Sequence, residues 1–545
     1  MMLKPMRMKK LVATIYEDYV DEVIYALGRL GIAHLIDIRE DLDSWKGLIE
    51  PVEPGDRLFK CMELLSRVER LMDELKMSEK SYPAEPLRGD FNKIIDDSEI
   101  ELDALENNYR KLKTEVESLM EKKVSDEEKP LLESTIVAKK IEFEQHLQLF
   151  KKSLLVIRSR LEALRKVDEA KRLLGRTHRT YVMEAWVPLD KVEDARKAIV
   201  DTSKGLCIVE FPSPPTEAHA TRVPVAYRIP TFLKPFEKLV NAYGIPLFNE
   251  INPTVITFIT FPLIFGIMFA DAGHASVMAV CGLLFILLRR RMEKAGAELT
   301  GITGMVLSAG ELLLLCGLSG IFWGILFGEI FSQHEFLGIH LHPLELLRIG
   351  REVRLGGFVP YEDVMAMFHL AIFIGVCQIN LGLILSLVNK VANREFKEAA
   401  SIACWIWFYD GAAYVVLAYG STVAFNFSFW LSNPHLLFAP LAALIVLEVV
   451  SRGMEGFSHG LMVFVESLSH TVSYGRLLAL NLVHVSVGKM FLQMQSGILG
   501  VTLGTLISLI LEGTIIFVHT LRLHWVEWFS KFYSGGGVKY IPFKI

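Results

Sequence analysis

The sequence predicts an α-helical polytopic membrane domain of about eight transmembrane helices, preceded by a cytoplasmic α+β domain with a long helical hairpin. Three observations carry this. Residues 1 to about 225 are rich in Lys, Glu, Asp and Arg, whereas almost everything after Phe248 is apolar. The first part shows β-α-β patterns around long charged helices with narrow apolar stripes. The second contains repeated apolar runs near the roughly 20 residues that a spanning helix needs.

The average hides this division: over 545 residues the hydrophobic share is 51% and the mean hydropathy +0.34. A net charge of -5, with mixed signs, argues against a nucleic-acid partner. Six cysteines without CxxC spacing form neither a disulfide framework nor a zinc site, and no cofactor is called for. The start, M-M-L-K-P-M-R-M-K-K, is basic, but V12-A-T-I-Y-E-D-Y-V-D is too acidic for the apolar core of a signal peptide. The polar part is therefore expected in the cytoplasm.

Lys10 to Ile15 alternates as a strand, Asp18 to Leu30 has helical spacing closed by Gly31, and Ile32 to Ile38 reads as a second strand. From Asp56 the pattern is helical over 56–78, 98–125 and 131–175, with a break at 82–97. Stripes this narrow fit an antiparallel helical coiled coil over about 56–175. Thr180 to Pro188 is a further strand, residues 189–201 an amphipathic helix, and C207-I-V-E-F-P closes a second small α/β unit. Pro212, Pro214 and Pro215 mark a linker. The domains are thus 1–225, an interfacial segment 226–251, and a membrane domain 252–545. No G-x-x-x-x-G-K-[ST] occurs, so no phosphate-binding loop of that kind is present.

Eight segments are candidates to span: about 252–270, 272–290, 302–331, 364–389, 400–424, 434–451, 457–493 and 498–533. The last two are long enough to require tilt or a bend. With the N-terminal domain inside, an even count places R289-R-R-M-E-K, N389-K-V-A-N-R-E-F-K and the Lys531, Lys539 and Lys544 region in the cytoplasm, as the positive-inside rule asks. The loop at 332–362 carries Arg348, Arg351 and Arg354 on the outside, and its 343–354 stretch has a helical pattern.

Ionisable residues inside these segments concentrate in the last two. The seventh carries Glu466, His470, Arg476, His484 and Lys489, with the polar Ser469, Ser473 and Asn481; the eighth carries Glu512, His519, Arg522, His524 and Glu527. An arginine at bilayer depth costs roughly 3 kcal/mol on insertion scales, so it faces a protein interior or a water-filled cavity. Ser469, Ser473 and Arg476 share one helix face, and Glu466, His470 and Ser473 an adjoining stripe. A guanidinium that keeps its proton, flanked by groups that exchange theirs, suits an ion path. Spacing alone also allows Arg476 and Arg522 to pair with Glu466 and Glu512 as structural bridges, and His470 and His519 to serve as interhelical polar contacts.

S469-H-T-V-S-Y-G-R-L-L-A-L-N-L-V-H resembles the S-x-x-S-Y-x-R-L-x-A-L-x-L-[AV]-H signature of the membrane stator of V-type and A-type rotary ATPases, subunit a or subunit I. L521-R-L-H-W-V-E-W-F-S-K-F-Y is similar to that family's C-terminal motif, as is the run from Pro235 through T260-F-P-L-I-F-G-I-M-F-A-D-A-G-H. A185-W-V-P matches its G-W-V-P except for Ala185. The resemblance implies that Arg476 faces a rotor ring whose subunits each carry a buried carboxylate, and that it forces ion release from them. It implies that Arg522 is a second basic residue, that Glu512 and His484 line half-channels, and, less firmly, that Glu466 takes part. The polar half would bind peripheral stalks and, through them, the catalytic head. A secondary transporter is the main alternative, although no internal repeat is visible. A membrane-anchored coiled-coil tether is another, but it leaves Arg476 unexplained.

Overall fold

The computed structural model describes the chain except residues 1–3, 40–44, 46, 76, 78–86, 88, 122–128, 213–222, 296–300, 337–338, 350–352, 421–422, 424–425, 495–501 and 503–504. The proline-rich linker read from the sequence lies mostly outside the described residues. The chain divides into two compact units: Arg7–Glu217 with Tyr540–Ile545, and Met1–Met6 with Ala218–Lys539.

The first unit is built on one sheet. Strands β1 (Met8–Tyr16), β2 (His34–Leu35), β3 (Glu50–Pro51), β4 (Gly175–Arg176), β5 (Thr180–Pro188) and β6 (Cys207–Glu210) are ordered β3-β4-β5-β1-β6, with β2 also on β5. β1 runs antiparallel to β5 over its whole length, Met8 opposite Pro188 and Tyr16 opposite Thr180. The two α/β units expected from the sequence therefore share one sheet, because β1 joins both. Leu11, Ala13 and Ile15 of β1 are fully buried. At roughly 1.5–3 kcal/mol for a large apolar side chain, this alternation fixes which face meets the helices.

Two of those helices are α1 (Val20–Leu30) and α5 (Val192–Thr202). Gly31 ends α1 in the left-handed region at φ 61°, its N–H donating to Leu27 O. The second strand is shorter than expected: only His34–Leu35 pair, with Trp186 and Ala185. The last residues complete this unit. Tyr540 Oη donates to Ile32 O at 2.6 Å, Phe543 N to Ala33 O at 2.7 Å, and Phe543 and Ile545 pack on the core.

Long helices extend from the sheet: α2 (Asp56–Glu74), α3 (Phe91–Glu121) and α4 (Lys129–Lys171). The expected antiparallel hairpin is α3 with α4, joined by Arg160–Glu101 and by stacked Tyr109 and Phe150 rings at 5.2 Å. α2 adds a third helix, parallel to α3 through the ladder Lys60–Asp96, Arg67–Asp103 and Lys113–Glu74. It is antiparallel to α4, with Arg57 held between Asp168 and Asp21. Leu154, Ile157, Leu161, Leu164 and Val167 are buried along α4, so most of its stability comes from packing.

The second unit is helical. Its elements begin with β7 (Pro224–Val225), α6 (Lys234–Tyr243), α7 (Thr254–Phe269), α8 (Ala272–Lys294), α9 (Gly301–Leu307) and α10 (Gly310–Phe327). The short strands β8 (Glu335–Phe336), β9 (Ile339–His340), β10 (Glu345–Ile349) and β11 (Val353–Gly356) follow. Then come α11 (Val364–Ala392), α12 (Phe396–Tyr419), α13 (Phe427–Ser432), α14 (Phe438–Arg452), α15 (Met454–Ser473), α16 (Gly475–Met494), α17 (Gly513–Arg522) and β12 (Val538–Lys539). Among the described residues, five helices have the length and composition to cross a membrane: Ala272–Lys294, Gly301–Phe327, Val364–Ala392, Phe396–Tyr419 and Thr505–Lys531. Thr254–Phe269 is a shorter apolar helix. The expected number of eight is not reached on these criteria.

Two local expectations change. The 343–354 stretch is not helical: β10 and β11 pair antiparallel, Arg348 opposite Arg354 and Ile349 opposite Val353. Residues 457–493 are not one helix. Tyr474 interrupts them, fully buried with its hydroxyl donating to Gln378 Oε1 at 3.0 Å, and α16 restarts at Gly475. Close packing elsewhere requires small residues: a Cβ on Gly324 would meet Ala272 N at 2.2 Å, so α10 and α8 touch backbone to backbone.

Candidate functional site

Arg476 is the second residue of α16, at the positive end of that helix's dipole, where a cation gains nothing from the backbone. Its counter-charge comes from another segment. Nη2 donates to Glu527 Oε1 at 2.8 Å and to Ser473 Oγ at 2.9 Å. Nη1 and Glu527 Oε2 are buried without a hydrogen-bond partner among the described residues. The bridges to Glu466 or Glu512 that spacing allowed for Arg476 do not form.

Glu466 pairs with Lys531 instead. Lys531 Nζ donates to Glu466 Oε1 at 2.7 Å and lies 4.8 Å from the centre of the Trp405 ring. His470 Nδ1 is 3.9 Å from the same Glu466 oxygen, one turn along α15. The first polar set is thus Glu466, His470, Lys531 and Glu527, leading to Arg476.

A second set lies on the other side of Arg476. His484 is eight residues further along α16, about 12 Å. Its Nδ1 is 2.5 Å from Glu512 Oε2, and its Nε2 is 3.9 Å from Asp271 Oδ2. His274 Nδ1 is 3.0 Å from Asp271 Oδ2, and the His274 and His484 rings meet edge to face at 5.4 Å. Asp271 sits in the break between α7 and α8. Its Oδ1 accepts from Gly273 N, His274 N and Phe331 N, and its Oδ2 from Ser332 N at 2.5 Å. One carboxylate therefore caps α8 and holds the 331–332 backbone.

Asp271, His274 and His484 each bring a donor atom within 4.8 Å of the others, a spacing that could hold a metal ion. The four amide N–H groups already on Asp271 fill about all that a carboxylate accepts. A chain of carboxylates and imidazoles that hand a proton along suits this arrangement better than a metal centre.

The remaining sequence candidates are placed apart. Arg522 is exposed, on an apolar stripe with Leu511, Ile515, Val518 and Val526, and the bridge to Glu512 that spacing allowed is not formed. His519 is half-buried, within electrostatic range of both Arg476 and Arg522. The last segment is not uniformly α-helical: Ser508–Glu512 and Leu523–Trp528 are π-helical, which rotates the following turns. Glu512, His524 and Glu527 are all buried. His524 lies 3.0 Å from Thr260 Oγ1 and 2.8 Å from Thr520 O.

Residues 93–337 and 459–545, more than half of the chain, match the V-type ATPase 116kDa subunit family. The chain belongs to that family. Members of the V-type ATPase 116kDa subunit family with similar sequences include the A-type ATP synthase subunit I of Methanocaldococcus jannaschii, 24% identical over 99% of both chains. The A-type ATP synthase subunit I of Aeropyrum pernix is 30% identical over 59% of this chain and 52% of its own. The vacuolar proton translocating ATPase 100 kDa subunit of Dictyostelium discoideum is 25% identical over 66% and 58%. This member of the family thus spans nearly all of the first relative and a little over half of the other two. With its apolar helices it is a multi-pass membrane protein.

Sequence reasoning noted Glu527 inside the eighth segment without giving it a role, and did not single out Lys531, Asp271 or His274 as site residues. Each lies in a stretch already quoted for the resemblance: Glu527 and Lys531 in L521-R-L-H-W-V-E-W-F-S-K, Asp271 and His274 in F269-A-D-A-G-H. The available signal was a carboxylate or cation inside an apolar segment.

Proposed function

We propose that the chain is the membrane stator subunit of a V/A-type rotary ATPase or ATP synthase. It provides two half-channels for protons or sodium ions against a rotor ring and associates with the other ATPase subunits. In this reading Arg476 meets each rotor subunit's buried carboxylate. The guanidinium holds its charge at every accessible pH. Its nearness at low dielectric favours the ionised carboxylate, so the bound cation leaves as that rotor subunit arrives. The proton or sodium ion departs along one polar set, the carboxylate is held by Arg476, and it reloads from the other set as the ring turns. Glu466, His470 and Lys531 line one half-channel, and His484, Glu512, Asp271 and His274 the other. Arg522, on the neighbouring segment, is a second cation toward the ring, and His519 stands between them.

The supporting observation is the setting of Arg476. It shares a stripe with the exposed Val472, Ala479 and Val483, one of its nitrogens is anchored, and the other is uncommitted among the described residues. An exposed apolar surface with one cation at mid-length suits an apolar partner helix that carries an acid. The sheet and the three long helices of the first unit form the stator arm and bind the peripheral stalks, where stiffness against torque is the physical requirement. The arm and the Tyr540–Ile545 tail lie on the cytoplasmic side, a reading favoured by the Lys and Arg near Lys390 and Arg452.

A photoreactive phenylalanine analogue at Val483 in the assembled complex tests the rotor-facing surface. The expected cross-linked product contains the rotor subunit. A product with lipid alone, or with another subunit alone, would contradict the assignment.

A further inference from the structure

Glu448 is a buried carboxylate in the last turn of α14, and neither polar set includes it. Only 6% of its surface is exposed. Oε1 accepts from Ser401 Oγ at 2.5 Å. Oε2 lies 3.2 Å from His459 Nδ1 and 3.4 Å from Arg452 Nε, and makes no hydrogen bond among the described residues. Asp271, also buried, accepts four backbone N–H groups. Glu448 accepts one hydrogen bond, from the Ser401 hydroxyl, and its second oxygen faces two partly exposed side chains, Arg452 at 45% and His459 at 39%.

The surroundings place this carboxylate at one end of the bundle. Gly453, in the left-handed region at φ 68°, turns the chain from α14 into α15. A Cβ on Gly456 would meet the backbone carbonyl of Glu448, so the start of α15 packs directly on the last turns of α14. Ser401 is in the second turn of α12, beside the α11–α12 connection that carries Lys390, Arg394 and Lys397. This is the basic end of the helices.

From there a line of ionisable groups leads inward. His459, Glu466, His470 and Ser473 fall within about 60° of arc on α15, and Arg476 follows after the break at Tyr474. The longest interval, His459 to Glu466, is two turns or about 10 Å, a distance that a few waters carry. Ser467, beside that interval, accepts the Trp405 indole N–H at 2.8 Å.

We infer that Glu448, with His459 and Ser401, is the mouth of the half-channel that leads along α15 to Arg476: a cation-collecting site that takes up the transported proton or sodium ion from the basic side of the membrane. Glu448 draws the cation from water, and His459 or intervening waters pass it inward. The inference rests on the half-channel reading above and adds its outer residues.

The test uses the complete complex in proteoliposomes, with ATP-driven ion uptake, followed by a pH dye and by sodium tracer, normalised to assembled complex and to ATPase activity. Glu448→Gln is expected to assemble and to lose uptake, with partial recovery in Glu448→Asp. In a Cys377→Ser background, His459→Cys should react with an impermeant cationic methanethiosulfonate added on the side of the ATPase head, and the reaction should block uptake. Unchanged uptake per complex in Glu448→Gln would overturn the inference. Should that variant fail to assemble, a His459→Cys that does not react, or reacts without effect on uptake, would overturn it as well. Arg476→Ala run in parallel separates the two claims. Lost uptake there with normal uptake in Glu448→Gln removes only this mouth, whereas normal uptake in Arg476→Ala removes the half-channel reading itself.

Discussion

Arg476 of one helical segment reaches Glu527 of the next at 2.8 Å, 51 positions further along the chain. This pair sets the arginine's position, since Ser473 is its other recorded partner. Glu527 is 2% and Arg476 19% exposed, so each charge depends on the other. Breaking a buried pair by removing one member costs about 3–5 kcal/mol, because the remaining charge is left without compensation. Glu527→Ala should therefore lower the thermal midpoint of the purified complex. The double variant Arg476→Ala/Glu527→Ala should be more stable than the sum of the single effects predicts. Additive losses would show that the two do not act as a pair.

Lys531 and Glu466 make a second test of the same kind. The Lys531 side chain is fully buried and that of Glu466 29% exposed. Lys531→Met leaves Glu466 with His470, at 3.9 Å, as its neighbouring ionisable group, and a stability loss of about 3 kcal/mol is expected. Adding Glu466→Gln should restore most of it, read by the temperature at which the complex loses the subunit.

Asp271 predicts a local effect. Loss of an N-cap costs about 1 kcal/mol, and here two further amides, Phe331 N and Ser332 N, lose their acceptor. Asp271→Ala should raise hydrogen exchange at residues 329–334 as well as in the first turn of α8. Exchange confined to α8 would show that the carboxylate does not hold that loop.

In the arm, Arg57 lies between Asp21 and Asp168, and Lys171 donates to Asp21 at 2.7 Å. Burial pushes the Asp21 carboxyl up, but the Arg57 hydrogen bond and the charges of Lys171 and Arg57 outweigh it and hold the group below its ordinary value. A depressed carboxylate contributes stability above its unfolded pKa, about 3.9, and loses it as pH falls through the folded value. Arg57 is raised by its two carboxylates against the opposing effect of burial, so its own contribution persists at every lower pH until those partners protonate. Acid titration of the full chain by circular dichroism should show Asp21→Asn less stable near neutral pH, with the difference from the parent shrinking below about pH 4.

Much of this was legible in the sequence. The alternation at Leu11, Ala13 and Ile15 marked β1, and Gly31 marked the end of α1. Apolar runs marked the membrane helices, and Arg476 stood out as a charge where none belonged. That β1 would join both α/β units into one sheet was not legible, because strand partners are long-range and alternation gives only the buried face. The partner of Arg476 escaped for a related reason. Counting at 100° per residue assumes an unbroken α-helix, but Tyr474 interrupts one segment and π-helical turns at 508–512 and 523–528 rotate the other. Lys531, expected as a cytoplasmic charge, is drawn inward by Glu466.

The most direct measurement of the central claim is ATP-driven ion uptake by reconstituted complex carrying Arg476→Ala, with assembly and the ATPase activity of the detached head measured in the same preparation. The account predicts an assembled complex with an active head and no uptake. Normal uptake by the assembled variant would contradict it and leave Arg476 as a structural partner of Glu527.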